Sequence, residues 1–195
     1  MPIDPSACPR QLVPVVRKGG TLYVPEISKT TPRSLYKVSA YPVAASPDLS
    51  FGAVAFDPVS QLLLLTTFDY GAAPPPPFSR GLNALKVASD CSLSLAWQTN
   101  STPTGTNIIG PGTRLTSVTV ANGMAFFGVG FSSSYTPLTA GVFAVALRSG
   151  NGISAGQTLW HSTNVKAPVN NAPIVVNGRV FFAANDGKLR AYALP

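Results

Sequence analysis

The chain has 195 residues, enough for one ordinary domain with a real core. Charged residues are only 11% of it, far below the roughly 25% usual in soluble domains, and it has a single glutamate; this speaks against a helical protein and for short strands joined by many turns. Fourteen Lys and Arg against seven Asp and Glu give a charge of +7, but only Arg17 and Lys18 are adjacent, which excludes the dense basic footprint of a nucleic-acid-binding protein and leaves a mildly cationic surface.

Residues 1–11 carry Pro2, Pro5 and Pro9 without any period and read as an irregular lead-in. Strands are predicted at Leu12–Val16, Thr21–Pro25 and Ser34–Tyr41, the first two joined by the turn Arg17-Lys18-Gly19-Gly20. After a loop at Pro42–Asp48, a second group follows at Phe51–Phe56, Gln61–Thr67, Leu82–Ala88 and Leu93–Thr99. Its first turn, Asp57-Pro58-Val59-Ser60, has a type I signature. Its second connection, Phe68–Arg80, holds four consecutive prolines, Pro74–Pro77, and reads as a stiff extended spacer rather than a recognition element.

Asn100–Gly112 is a polar loop. A third group is predicted at Thr116–Ala121, Met124–Val129, Gly141–Leu147 and Gln157–Ser162, with Asn122-Gly123 as its first turn. The last group, Pro173–Val176, Arg179–Ala183 and Leu189–Leu194, is punctuated by Asn177-Gly178 and Asn185-Asp186-Gly187. Asn-Gly and Asp-Gly supply the positive φ angles of tight hairpins, so this segment is an antiparallel meander.

The groups repeat. Val118–Phe127 aligns with Ile174–Phe182 across the Asn-Gly turns, and Val15–Val24 aligns with both. A third strand of the form apolar-x-Ala-apolar recurs as Leu82-Asn83-Ala84-Leu85, Val142-Phe143-Ala144-Val145 and Leu189-Arg190-Ala191-Tyr192. Two groups end on a strand with Leu and Trp, at Leu95-Ala96-Trp97 and Leu159-Trp160. The interval of roughly 40 to 60 residues is that of propeller blades, and a lone blade has two apolar faces it cannot bury. The expected fold is all-β: a β-propeller of four-stranded antiparallel blades, about four of them, at 12–50, 51–100, 113–165 and 171–195. The first and last groups each lack a fourth strand, so the ring is expected to be incomplete or open, either the carboxy-terminal part of a longer propeller or one of two copies that associate.

Val175–Phe182 followed by Asp186–Tyr192 resembles a blade of the PQQ-like (quinoprotein dehydrogenase-like) β-propeller repeats, and the strands ending at Trp97 and Trp160 resemble its close. The resemblance covers most of residues 12–195. It implies a propeller, and it is compatible with dehydrogenases, assembly scaffolds and exported proteins alike. A quinoprotein dehydrogenase of this kind would need PQQ, a calcium-type site of acidic and amide oxygens, a catalytic carboxylate and a Trp platform. Its vicinal Cys-Cys is absent here, and its propeller has more blades.

The carboxylates are few. Asp57, Asp90 and Asp186 fall in turns, where Asp is wanted for turn geometry; Asp69, Asp48 and Glu26 carry no motif. His161 is the only histidine, without a GxSxG or an acidic partner, and reads as a partly exposed strand residue. Trp97 and Trp160 occupy equivalent repeat positions, which argues for packing between blades rather than a ligand platform. Gly128 and Gly130 form a GxG with no helix after it, so nucleotide binding is not supported. No catalytic, cofactor-binding or metal-binding residue is assigned.

Cys8 and Cys91 do not make a framework, and their pairing cannot be read from spacing; two unrelated thiols, Cys91 half-buried in a hairpin, is the favoured alternative to a bridge. No apolar run approaches the ~18 residues of a membrane span. Met1-Pro2-Ile3-Asp4 lacks the basic start of a signal peptide, yet low charge with abundant Ser, Thr and Asn suggests a secreted or periplasmic protein. The expectation is a non-catalytic propeller that presents loops to a protein or polysaccharide. The alternative is a fragment of a PQQ-dependent alcohol or sugar dehydrogenase, to be separated by reconstitution with PQQ and calcium.

Overall fold

A computed structural model of the chain describes residues 8–16, 21–27, 33–39, 53–67, 77–99, 114–130 and 140–193. Among these residues there is no helix, and fourteen strands form four antiparallel sheets. The first sheet is β1 (Val15–Val16), β2 (Thr21–Glu26) and β3 (Arg33–Ser39). The second is β4 (Ala55–Asp57), β5 (Leu62–Thr67), β6 (Gly81–Val87) and β7 (Leu93–Thr99). The third is β8 (Thr119–Ala121), β9 (Met124–Val129), β10 (Gly141–Ala146) and β11 (Thr158–His161). The fourth is β12 (Ile174–Val176), β13 (Arg179–Ala183) and β14 (Leu189–Ala193). In every sheet the strands lie in chain order, so each is a meander closed by local turns.

The turns explain the registers. Asn122 and Gly123 have φ of 52° and 72°, and Asn177 and Gly178 have 48° and 69°. Two successive left-handed residues make the type I′ turn whose twist matches that of the flanking strands, pairing Ala121 with Met124 and Val176 with Arg179. The second sheet uses a longer turn, Pro58–Gln61, in which Gln61 takes φ 54°. Gln61 therefore belongs to the turn and not to the strand expected to begin there.

Other strands are shorter than expected, for visible reasons. Leu12 bridges Glu26 and Val13 donates to the Pro25 carbonyl at 3.0 Å, but Pro14 has no N–H to continue the ladder, so regular pairing starts at Val15. Leu115 bridges Val129, but the next rung is irregular: the Thr116 hydroxyl accepts the Gly128 N–H at 2.8 Å, and β8 begins at Thr119.

The sheets pack face to face in sequence order, and alternation along single strands assigns each residue to one core or the next. Leu62, Leu63, Leu64 and Leu65 are all buried. Leu63 and Leu65 join Leu22, Val24, Leu85 and Val87 in a core between the first and second sheets. Leu62 and Leu64 join Leu82, Ala84, Phe127, Phe143 and Val145 in a core between the second and third. Adjacent Phe126 turns the other way, meeting Val142, Ala144, Val180 and Phe182 between the third and fourth. A sheet buried on both faces needs successive apolar residues along its central strands, and Leu62–Leu65 and Val142–Leu147 supply them.

The repeat extends to irregularities. The β6–β7 register slips between Ala84 and Leu85, and the β10–β11 register slips between Ala144 and Val145, the equivalent place. Trp97 pairs with Ala84 and Trp160 with Ala144.

Cys8 and Cys91 form a disulfide with Cα atoms 5.1 Å apart, and both are buried, at 2% and 4% exposure. The expectation of two unrelated thiols is overturned. The bridge ties the segment before β1 to the turn between β6 and β7, joining the first two sheets covalently.

Candidate functional site

A groove of about 490 Å³ opens between the first hairpins of the second and third sheets. One wall is Phe56, Asp57, Pro58 and Val59, from the end of β4 and its turn; the other is Val120, Ala121, Asn122 and Gly123, from β8 and its turn. Arg148, just past β10, completes it. Hairpin register brings it there: the Leu147 N–H donates to the Gly123 carbonyl at 3.0 Å, so the next residue lies over the Asn-Gly turn. A Cβ at position 123 would stand 3.2 Å from the Arg148 guanidinium, so glycine serves both the φ of 72° and that close approach.

The groove is chemically asymmetric. Phe56 is buried with its side chain in the core between the first and second sheets, and Val59 is 69% exposed, so the accessible apolar surface of the groove is Val59. Asp57 is buried at 5% exposure, and its Oδ2 is occupied: it accepts the Ser60 N–H at 2.9 Å and the Ser60 hydroxyl. Among the described residues Arg148 has no ion-pair partner. The arrangement can hold an anionic group against the guanidinium while an apolar group packs on Val59. It contains no nucleophile–base pair. Sequence reasoning missed Arg148; its signal was position, the residue after a strand whose end must meet the Asn122-Gly123 turn.

The singled-out carboxylates hold turns. Asp90 accepts the Ser92 N–H at 2.9 Å, and hydrogen bonding to Ser92 lowers its pKa from the ordinary value. Asp186 accepts the Lys188 N–H at 3.2 Å and a guanidinium N–H of Arg190 at 2.9 Å. The Arg190 hydrogen bond holds the Asp186 carboxyl at about 2, below 3.8. A folded value below the unfolded one means that the pair's stabilisation is whole above pH 3.8 and is lost as pH falls through about 2. Wild type is therefore expected to melt above an Asp186→Asn variant at neutral pH, with the gap closing as acid approaches pH 2. Paired thermal melts across that range check it; a pH-independent gap contradicts it. Glu26 pairs with Arg10 at 3.2 Å. Asp48 and Asp69 lie outside the described residues, as do the loop 100–112 and most of 68–80.

His161 stacks on Phe143 with centroids 3.9 Å apart. Its Nε2 lies 2.6 Å from the Ala140 carbonyl; a carbonyl only accepts, so Nε2 carries the proton. Burial lowers its pKa, opposed by that hydrogen bond. Trp97 lies against Gly156 of the third sheet's last hairpin, where a Cβ would come within 3.0 Å of the ring. Trp160 packs on Tyr192 of the fourth sheet, centroids 5.2 Å apart. Each Trp thus contacts the following sheet. Gly128 allows close packing of Val169, whose Cγ1 is 2.6 Å from where a Cβ would stand. Among the described residues no three His, Cys, Asp or Glu side chains are grouped to hold a metal ion. These residues do not fit a calcium–PQQ site, because the turn carboxylates are engaged locally and both Trp rings face neighbouring sheets. Among the described residues no helix is long and apolar enough to cross a membrane.

No family model matches the chain, and no curated protein matches it. Among solved structures it is similar to the computationally designed Ika4 protein, with a TM-score of 0.58 at 11% identity, over 94% of this chain and 86% of that one. It also aligns with the computationally designed Ika8 protein at a TM-score of 0.41 and 16% identity, over 94% of this chain and 55% of that one. At 11% identity the likeness to Ika4 concerns the fold alone: several antiparallel sheets in an all-β chain.

Proposed function

We propose that the four sheets are blades of an open β-propeller of the PQQ-like repeat type, and that the chain is a non-catalytic binding scaffold for a protein or polysaccharide ligand. Equivalent turns, equivalent register slips and equivalent Trp contacts support the blade reading. The observation that carries the binding reading is Arg148, without an ion-pair partner among the described residues, beside the exposed Val59 and between two hairpins whose sheets share a core. A charge of +7 adds long-range attraction for an anionic ligand. The Cys8–Cys91 bridge supports an oxidising compartment, and so the secreted or periplasmic reading.

The test is titration calorimetry against acidic peptides and uronate-bearing polysaccharides. Saturable binding is expected with one class, weakened about tenfold by Arg148→Glu, the loss of roughly one charge-assisted contact. Undiminished binding in that variant, or none to either class, removes the groove from consideration. Turnover by the chain supplied with PQQ and calcium would overturn the non-catalytic reading.

A further inference from the structure

The groove between the second and third sheets is bounded by two sheet edges, β4 and β8, each the first strand of its meander and paired on one side only. The registers determine which main-chain groups of these edges point away from the ladder. The Leu147 N–H donates to the Gly123 carbonyl, so the pair they flank, Ala146 and Met124, exchanges no hydrogen bonds. Met124 therefore turns its N–H and C=O the other way, to Ala121 across the Asn-Gly turn. Val120, one residue on and opposite Ala125, falls in a non-hydrogen-bonded pair, with its N–H and C=O directed outward. The second sheet repeats the arrangement. The Val87 N–H donates to the Gln61 carbonyl at 3.0 Å, so Leu62 turns its main chain to Asp57, and Phe56, opposite Leu63, directs its own outward. Among the described residues none hydrogen-bonds to the main chain of Val120 or Phe56 outside these pairings. This is how Phe56 lines the groove while its side chain sits in the core of the first two sheets. Phe56 is 4% exposed and lies deep; Val120 is half-buried, and its edge is the accessible one.

We infer, on the binding reading proposed above, that the ligand is an extended acidic segment of polypeptide that adds to the free edge of β8, with its main chain on Val120 and a carboxylate on Arg148. One residue offering an N–H and a C=O side by side is the pattern that a residue of another strand matches, donor to acceptor and acceptor to donor. Sugar hydroxyls can meet either group but are not held at that paired spacing. The flanking features suit the same ligand. Val120 packs its side chain toward the second sheet, so the residue paired with it turns its side chain that way too, where Val59 is exposed. Arg148 stands over the turn that ends β8, in line for an acidic residue further along the added strand. With a single outward-facing residue on so short a strand, main-chain pairing and the charge contact are both needed.

Titration calorimetry of the full chain tests this with blocked hexapeptides that carry one valine and one glutamate, one or two residues apart in either order, on a serine background. A galacturonate oligosaccharide is titrated beside them. At least one peptide should bind, and the uronate should bind at least about tenfold more weakly. N-methylating that peptide one residue at a time should weaken it about fivefold or more at one position and spare the immediate neighbours, whose N–H groups point away from β8. Val120→Pro should weaken the peptide similarly; its N–H lies outside the β8–β9 ladder, so the hairpin keeps its pairing. The N-methyl scan uses the unaltered protein and decides the matter should that variant unfold. Binding of the uronate alone, or of a peptide indifferent to N-methylation at every position, overturns this inference and leaves the groove's binding role standing. Binding of neither overturns both.

Discussion

Replacing Cys8 and Cys91 with alanine lowers the melting temperature by about 8–16 °C, as does reductant on the wild type. The bridge closes a sequence separation of 83 residues, and loop-closure entropy over that span is worth about 4 kcal/mol or slightly more. At this chain length each kcal/mol shifts the midpoint by about 2–4 °C. The loss should be localised. Among the described residues the first sheet shares one core with the rest, formed by Leu22 and Val24 against Leu63, Leu65 and Leu85, while the second and third sheets are held on both faces. Amide exchange in β2 should accelerate far more than in β9 when the bridge is cut. Calorimetry with and without reductant gives the first number and exchange mass spectrometry the second. Uniform acceleration across all four sheets would show that the bridge does not act through the first one.

Some of this was readable from the chain. Asn122-Gly123 and Asn177-Gly178 dictate two left-handed residues in succession, and so a register, without reference to anything distant. The apolar-x-Ala-apolar strands announced a repeated unit because each must pack on both faces. What stayed hidden depends on contacts between distant segments. The Cys8–Cys91 pairing brings together residues from two sheets, and nothing near either cysteine encodes it. Arg148 reads as one of several scattered cations until the β9–β10 register places it over Gly123. Boundaries moved where one residue withdrew from the ladder: Pro14 for want of an N–H, Gln61 through its φ of 54°. The fourth sheet's outer face, which no described sheet covers, was half legible, since its pattern matches the third sheet's; only packing shows which of two apolar faces has been used.

Phe126→Ala and Phe181→Ala, at equivalent positions of the repeat, should differ severalfold in cost. Phe126 is fully buried among Val142, Val165, Val169 and Phe182, so truncation leaves a cavity walled by two sheets and costs about 3–5 kcal/mol. Phe181 is only half-buried, on the face no described sheet covers, and its truncation should cost about 1 kcal/mol. Phe127→Ala is the internal control: it is equally buried but points into the preceding core with Phe143, 5.7 Å away between centroids, and should cost as much as Phe126→Ala. Denaturant midpoints of the three variants decide it. Were Phe181→Ala as damaging as Phe126→Ala, another part of the same chain would have to cover the outer face of the fourth sheet.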